Sequence, residues 1–336
     1  MSEENTMNKQ GGGALKAVKI ACPLLLGGAI LWWMYRGVDF ATIRDTLLND
    51  MNWWWMLLSL PFGITAQVFR GWRWRQTLTP IGERPRLMMC VHAVFLSYAT
   101  SLIIPRIGEF ARCGVLKRYD NVAFGKALGT VVTERAIDTL LLLLITGATL
   151  LLEGKTFAVF FATTGTSLES IVARFSLTGW IVTAVCAAAA IALVHILLRK
   201  LYIYNKVKAT LSGIWQGIIS LRNVSNIPLF ILFTAGIWVS YFVQYYLTFF
   251  CFDFTEQLGL GCAIITFIVG TIAVIVPTPN GAGPWHFAVK TMLVLYGVAE
   301  PDALCFVLPV HAVHTLLIIL LGVYSWIALA FASVRR

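Results

Sequence analysis

The chain has 336 residues, 58% of them hydrophobic and only 12% charged, with a formal net charge of +10 and a mean hydropathy of +0.78. Soluble domains carry about 25% charged residues, so this composition excludes an ordinary soluble enzyme and implies an integral membrane protein with no large separate soluble domain. Its long apolar stretches favour helices, because a membrane β-barrel would show short alternating segments. The seven cysteines (Cys22, Cys90, Cys113, Cys186, Cys251, Cys262 and Cys305) have no CxxC spacing and read as small core residues.

The N-terminal residues 1–16 are polar and Gly-rich and are expected to form a cytoplasmic tail. The apolar run after Lys19 has no small-residue cleavage site before Tyr35 and Arg36, so the first helix is expected to stay as an anchor. Runs at 17–35, 53–70, 127–152, 177–198, 227–251 and 303–333 are each near the ~20 residues needed to cross a bilayer. They predict six spanning helices. Two further apolar segments, 88–104 and 259–276, run into breaks at Pro105–Gly108 and Pro277–Gly283 and predict re-entrant helical hairpins over 88–118 and 259–297.

Loop charge supports that arrangement. If both hairpins turn back, the N-terminus, the 70–87 loop, the 106–126 region, the 199–226 segment and Arg335 with Arg336 share one side and hold most of the 26 basic residues. The opposite side receives Arg36, Arg44, Lys155, Arg174 and Lys290 amid Asp39, Asp45, Asp50, Glu153, Glu169, Asp253, Glu256, Glu300 and Asp302. Both termini are therefore expected in the cytoplasm, with a basic cytoplasmic face suited to anionic headgroups and not to nucleic acid.

The two breaks also read alike, as apolar run, Pro, Gly, then aromatic. Two spans precede each hairpin and one follows it, and the second set starts from the opposite side. The fold class expected is thus an all-α polytopic membrane protein with an inverted repeat: a first membrane repeat over 17–152, an external loop over 153–176, and a second repeat over 177–334. Within the second repeat, apolar residues recur at helical intervals through an otherwise polar segment, which predicts an interfacial helix over 200–224. Trp32, Trp33 and Trp53 to Trp55 read as interfacial belt residues.

Chemistry is concentrated between residues 101 and 138. An ionisable group at the bilayer centre costs roughly 2.5–3.5 kcal/mol, so Arg106, Glu109, Arg112, Glu134, Arg135 and Asp138 need partners or water. A helix beginning after Pro105 would aim free N–H groups and a partial positive charge inward, beside Arg106 and Arg112, a suitable seat for phosphate. Glu134 and Asp138 lie i,i+4 on one face, and Arg135 is placed to pair with Asp138. The cluster reads either as a structural ion-pair lock, with Arg70 or Arg73 among its partners, or as groups that meet substrate. In the second repeat the matching zone holds Trp285, His286 and Lys290, preceded by Tyr241, Gln244 and Tyr245. His311 and His314 lie i,i+3 without a cysteine or carboxylate spaced to complete a metal site, so neither metal nor cofactor is expected.

At Arg70–Arg75 (RGWRWR, preceded by Phe69), Pro105-Arg106-Ile-Gly108-Glu109-Phe-Ala-Arg112, Glu134-Arg135-Ala-Ile-Asp138 and the Pro277–Gly283 break, the chain resembles the flippase-like membrane family named for the transmembrane region of lysylphosphatidylglycerol synthase. In that family the last motif usually reads Pro-x-Pro-Gly-Gly-x-Gly-x-x-Glu; here Asn280 replaces a glycine and His286 stands where the glutamate is expected. Bifunctional relatives carry a soluble aminoacyl-transferase domain after the membrane part, whereas this sequence ends at Arg336 just after a span.

The resemblance implies a lipid translocase of the bacterial inner membrane, not an enzyme, acting on an anionic phospholipid or a polyprenyl-phosphate-linked lipid. A glycosyltransferase or lipid-modifying enzyme is the partner class that goes with it. Arg70, Arg73, Arg106, Glu109, Arg112, Glu134, Arg135, Asp138, Asn280 and His286 are the expected substrate-binding residues. The rival readings are a membrane enzyme acting on a lipid phosphate, a small-solute or ion transporter, and a subunit that anchors another enzyme.

Overall fold

A computed structural model of the chain describes residues 25, 27–36, 40–152, 224 and 226–334. The expected span at 177–198, the 153–176 loop and most of the interfacial helix at 200–224 lie outside the described residues. Every element among the described residues is helical. The chain divides into two compact units, one made of Met1–Phe124 with Ser220–Arg336, the other of Gly125–Ile219.

The larger unit opens with a helical stretch over 27–35 and the short helix Phe40–Asp45, followed by α1, Trp53–Leu78. Asn52 caps α1 by accepting from the Trp54 N–H at 3.1 Å, satisfying one of the donors a helix start leaves open. The helix runs on through Pro61 and through Arg70, Arg73 and Arg75. This corrects the expectation of a loop from residue 70. The Trp, Arg and Gln residues of that stretch are compatible with a helix and the next proline comes only at Pro80, so nothing stops the helix earlier.

Helix α2 (Leu87–Ile103) and helix α3 (Ile107–Asp120) form a closed hairpin around the Pro105 break. Near its tip, Ser101 Oγ accepts from the Gly108 N–H at 3.2 Å and donates to the Ser97 carbonyl at 2.9 Å. A Cβ at Gly108 would fall 1.8 Å from that same carbonyl oxygen, so only glycine permits the two limbs to meet there. At the mouth, Asp120 accepts from the Arg86 main-chain N–H at 2.7 Å and from Arg86 Nε at 2.6 Å. The start of one limb is thereby fixed to the end of the other.

Helix α4, Phe124–Leu152, carries the described part of the smaller unit. Back in the larger unit, α5 (Ile227–Leu247) lies antiparallel to α1: Gly63 sits against Gln244, Phe69 against Gly236, and Arg73 against Phe230 and Thr234. Small residues at such crossings let helices approach closely where no aqueous hydrophobic effect drives them together. Helix α6 (Gly259–Ala273) and helix α7 (Pro284–Leu295) flank the second break, and Gly270 receives Trp285 and Val289 across that pair. Helix α8, Glu300–Ala330, closes the unit, with Gly322 on Ala99 of α2.

An aromatic core joins the second helix pair to α5 and α8, with Phe306 edge-on to Phe249 at 5.4 Å and Tyr245 edge-on to Phe249 at 5.5 Å. The outward surface is also apolar. Leu316, Leu320, Val323, Trp326 and Ile327 are exposed along α8, and Ile231, Leu232 and Val239 along α5. Such surfaces are unsuited to water. Both of these segments, Ile227–Cys251 and Glu300–Ala330, are long and apolar enough to cross a membrane.

Candidate functional site

On α1, Gln67, Arg70 and Trp74 recur at intervals of three and four and so share a face. All three are buried, as is Arg73, which is only 1% exposed. Gly71 brings this part of α1 onto α2, where an added Cβ would lie 2.9 Å from the Val91 Cα. Arg73 reaches across to α5, donating from Nη1 to Thr234 Oγ1 at 3.4 Å with its guanidinium 5.9 Å from the Phe230 ring centre. From α3, the buried guanidinium of Arg112 lies 4.8 Å from the ring centre of Trp74, a cation–π contact strengthened by its dry surroundings.

Two tyrosines extend this region. The Tyr241 hydroxyl donates to that of Tyr98 at 3.3 Å, and Arg70 is within hydrogen-bonding reach of Tyr241. The Gln67 carbonyl oxygen is buried without a hydrogen-bond partner among the described residues. Arg70 and Arg73 of α1 and Arg112 of α3 are thus each buried against aromatic rings or hydroxyls. Chemically this is an environment for an anion with an apolar body, since arginine offers forked donors and cannot shed its charge.

Of the residues singled out in the sequence, Arg70, Arg73 and Arg112 belong to this region. Arg106 is placed differently. It is exposed at the tip of the first hairpin, in the left-handed conformation (φ 65°), and its Nη2 donates to the Ile275 carbonyl in the second break at 3.1 Å. The N–H groups expected to face a phosphate there are engaged within the hairpin: Ile107 bonds the Ile104 carbonyl, Gly108 bonds Ser101, and Glu109 bonds the Arg106 carbonyl. Glu109 lies in the first turn of α3, where a carboxylate suits the helix dipole.

In the smaller unit, one guanidinium serves both acids of α4. Arg135 Nη2 lies 3.1 Å from Glu134 Oε1 and 3.4 Å from Asp138 Oδ2. In the second break, Asn280 also takes a left-handed conformation (φ 51°), with its amide donating to Thr315 Oγ1 at 2.8 Å and its carbonyl 3.0 Å from His311 Nε2. His286 is buried; its Nδ1 accepts from the Gly283 N–H at 3.4 Å, and its ring centre lies 4.4 Å from that of His311. Asn280, His286 and His311 together hold the second break onto α8.

Sequence reasoning missed Gln67, Trp74, Tyr98 and Thr234. Trp74 lay inside the noticed FRGWRWR segment and Gln67 is a polar residue in a largely apolar run, both usable signals. Tyr98 and Thr234 carry none, because their relevance comes from contacts across 143 and 161 residues of chain.

The family model described as the lysylphosphatidylglycerol synthase TM region matches residues 20–322. No curated protein and no solved structure matches the chain. With that match spanning most of its length, this membrane protein belongs to the lysylphosphatidylglycerol synthase transmembrane-region family.

Proposed function

We propose that the chain is a lipid translocase of the bacterial cytoplasmic membrane, moving an anionic phospholipid or a polyprenyl-phosphate-linked lipid between leaflets. The observation that carries this reading is the burial of Arg70, Arg73 and Arg112, with Arg112 against Trp74 and Arg70 within reach of Tyr241. Ionisable groups within a membrane are costly and by default mark a functional site. The arginines would grip the phosphate, and the aromatic faces would accompany the less polar part of the headgroup. Both termini would lie in the cytoplasm, as the loop charges favour, and a glycosyltransferase or lipid-modifying enzyme would supply or consume the lipid.

The helix pairs fit a re-entrant role by length. At 1.5 Å per residue, the 17-residue α2 spans about 25 Å and the 15-residue α6 about 22 Å. Both fall short of a hydrocarbon core of about 30 Å. Each pair would enter and return, leaving its break inside the bilayer, and the two would be related as an inverted repeat.

The test is reconstitution of wild type, Arg73→Gln and Arg112→Gln into vesicles with labelled phosphatidylglycerol, phosphatidylcholine or polyprenyl phosphate, followed by leaflet-exchange assays. Exchange of a phosphate-anionic lipid is expected for wild type and is lost in both Gln variants with the fold retained. Arg112→Lys should keep partial activity, because a point charge replaces a two-point grip. Equal exchange by all the proteins, or none above empty vesicles for any lipid, would overturn the reading.

A further inference from the structure

A groove of about 450 Å³ runs along the seam between α3 of the first hairpin and the end of α8, separate from the buried arginines. Its volume falls within the ~300–1,000 Å³ typical of small-molecule sites. Its floor is made by Ala111 and Gly114, where a Cβ added at Gly114 would meet nothing within 4 Å. Leu96, Val115 and Leu329 form apolar walls.

The rim has a different chemistry. Arg118 stands there with its guanidinium 5.7 Å from the ring centre of Tyr119, and Trp326, which is 69% exposed, lines the same groove. Tryptophan and tyrosine settle at headgroup level, with apolar bodies in the acyl region and polar edges toward water. Arginine at that depth meets phosphate.

The groove is also held open by fixed walls. Arg86 bonds the Asp120 carboxylate, the Tyr119 carbonyl at 3.1 Å and the Ser333 carbonyl at 2.8 Å, tying the hairpin mouth to the segment just after α8. A second groove of about 400 Å³, lined by Ile30, Trp33, Ala273, Val276, Pro284 and Phe287 among others, has an entirely apolar lining with no cation in it among the described residues. It would not distinguish one headgroup from another.

We infer that the α3–α8 groove is a specific seat for an anionic phospholipid, with its phosphate on Arg118 and an acyl chain laid over Gly114. The occupant is fixed by the pairing of an apolar trough with a cation and an indole at headgroup level. This seat does not depend on the translocation reading: a lipid held there would occupy it even in a chain that moves nothing.

The experiment uses full-length protein in vesicles containing trace phosphatidylglycerol or phosphatidylcholine with a photoreactive group on the acyl chain, followed by peptide mass spectrometry of cross-links. Phosphatidylglycerol is expected to label peptides containing Gly114 and Trp326 in preference to phosphatidylcholine. Arg118→Gln should reduce that preference about fivefold, the scale of one basic residue at a membrane surface. Gly114→Leu, whose Cβ would meet nothing within 4 Å, fills the floor and should abolish labelling at the seam, with an unfolding temperature that shows the fold is retained. Arg118 is exposed, so its replacement leaves the fold intact. Equal labelling by the two lipids in wild type, or seam labelling that survives both substitutions, would overturn the proposal. Leaflet exchange measured on the same vesicles separates failure of this seat from failure of translocation.

Discussion

The guanidinium of Arg106 donates to the carbonyl oxygen of Ile275 at 3.1 Å, so the tip of the first hairpin is tied to the broken backbone of the second helix pair. The end of a helix leaves carbonyls without an intrahelical donor, and here a side chain from the other break supplies one. Arg106 achieves this from a left-handed conformation that disfavours any residue with a Cβ by roughly 1–2 kcal/mol. Arg106→Ala should therefore be destabilised by about 0.5–1.5 kcal/mol for the lost hydrogen bond. Arg106→Gly loses the same bond but relieves the backbone, and should unfold at a higher temperature than the alanine variant. Thermal unfolding in one detergent checks the order; an alanine variant as stable as the glycine variant would contradict the geometry.

Two glycines of α3 should respond oppositely to the same substitution. A Cβ at Gly108 would lie 1.8 Å from the Ser97 carbonyl, whereas one at Gly114 would meet nothing within 4 Å. Gly108→Ala must push the hairpin limbs apart and should lower stability by about 1–3 kcal/mol, the usual scale of overpacking. Gly114→Ala gains helix propensity, worth about 0.5–1 kcal/mol. Unfolding temperatures of the pair, with limited proteolysis at the hairpin mouth, give the comparison.

What could be read from the sequence follows from where each signal resides. Pro105 and the Pro277–Gly283 run punctuate the chain locally, and the helices Leu87–Ile103 and Pro284–Leu295 stop and start beside them. Arg70 and Arg73 read as loop residues because their charge suggested water, yet as helix formers they extend α1, and their burial depends on α5 and α2 arriving from elsewhere in the chain. The Arg106–Ile275 bond joins residues 169 apart and leaves no periodicity to detect. The N–H groups at the start of α3 are taken up by the Ile104 and Arg106 carbonyls and by the Ser101 hydroxyl, partners whose directions no spacing rule reveals.

In the smaller unit, Arg135 stands between Glu134 and Asp138 at 3.1 and 3.4 Å. Arg135→Ala leaves two carboxylates i,i+4 on one helix face without the guanidinium they share, and like charges at that spacing repel. With the Arg135 side chain 40% exposed, solvent screens part of the effect, and a loss of about 1.5–3 kcal/mol is expected, in the range of charge-assisted hydrogen bonds. Adding Asp138→Ala should restore much of that stability. Stability regained with leaflet exchange still lost would place the cluster in the transport path; recovery of both would make it a lock within α4.

His286, at the position where the family resemblance leads one to expect glutamate, has a physical role at the Gly283 N–H. Helix α7 starts at Pro284, and His286 Nδ1 accepts from that N–H at 3.4 Å, reaching back over the first turn of the helix. A glutamate or glutamine at the same position reaches back to the same donor in the reciprocal arrangement common at helix starts. What the position supplies is then a hydrogen-bond acceptor, which a neutral imidazole and a carboxylate both provide. His286→Gln should keep the cap and unfold within about 1 kcal/mol of wild type, since a cap is worth roughly 0.5–2 kcal/mol and is conserved in this exchange. His286→Ala loses the acceptor and also vacates a buried site beside His311 and Tyr35, so a loss of more than about 2 kcal/mol is expected. Thermal unfolding of the two variants, paired with leaflet exchange, checks the assignment. A glutamine variant that folds as wild type but moves no lipid would show that the imidazole itself works in transport, and an alanine variant as stable as wild type would remove the capping role.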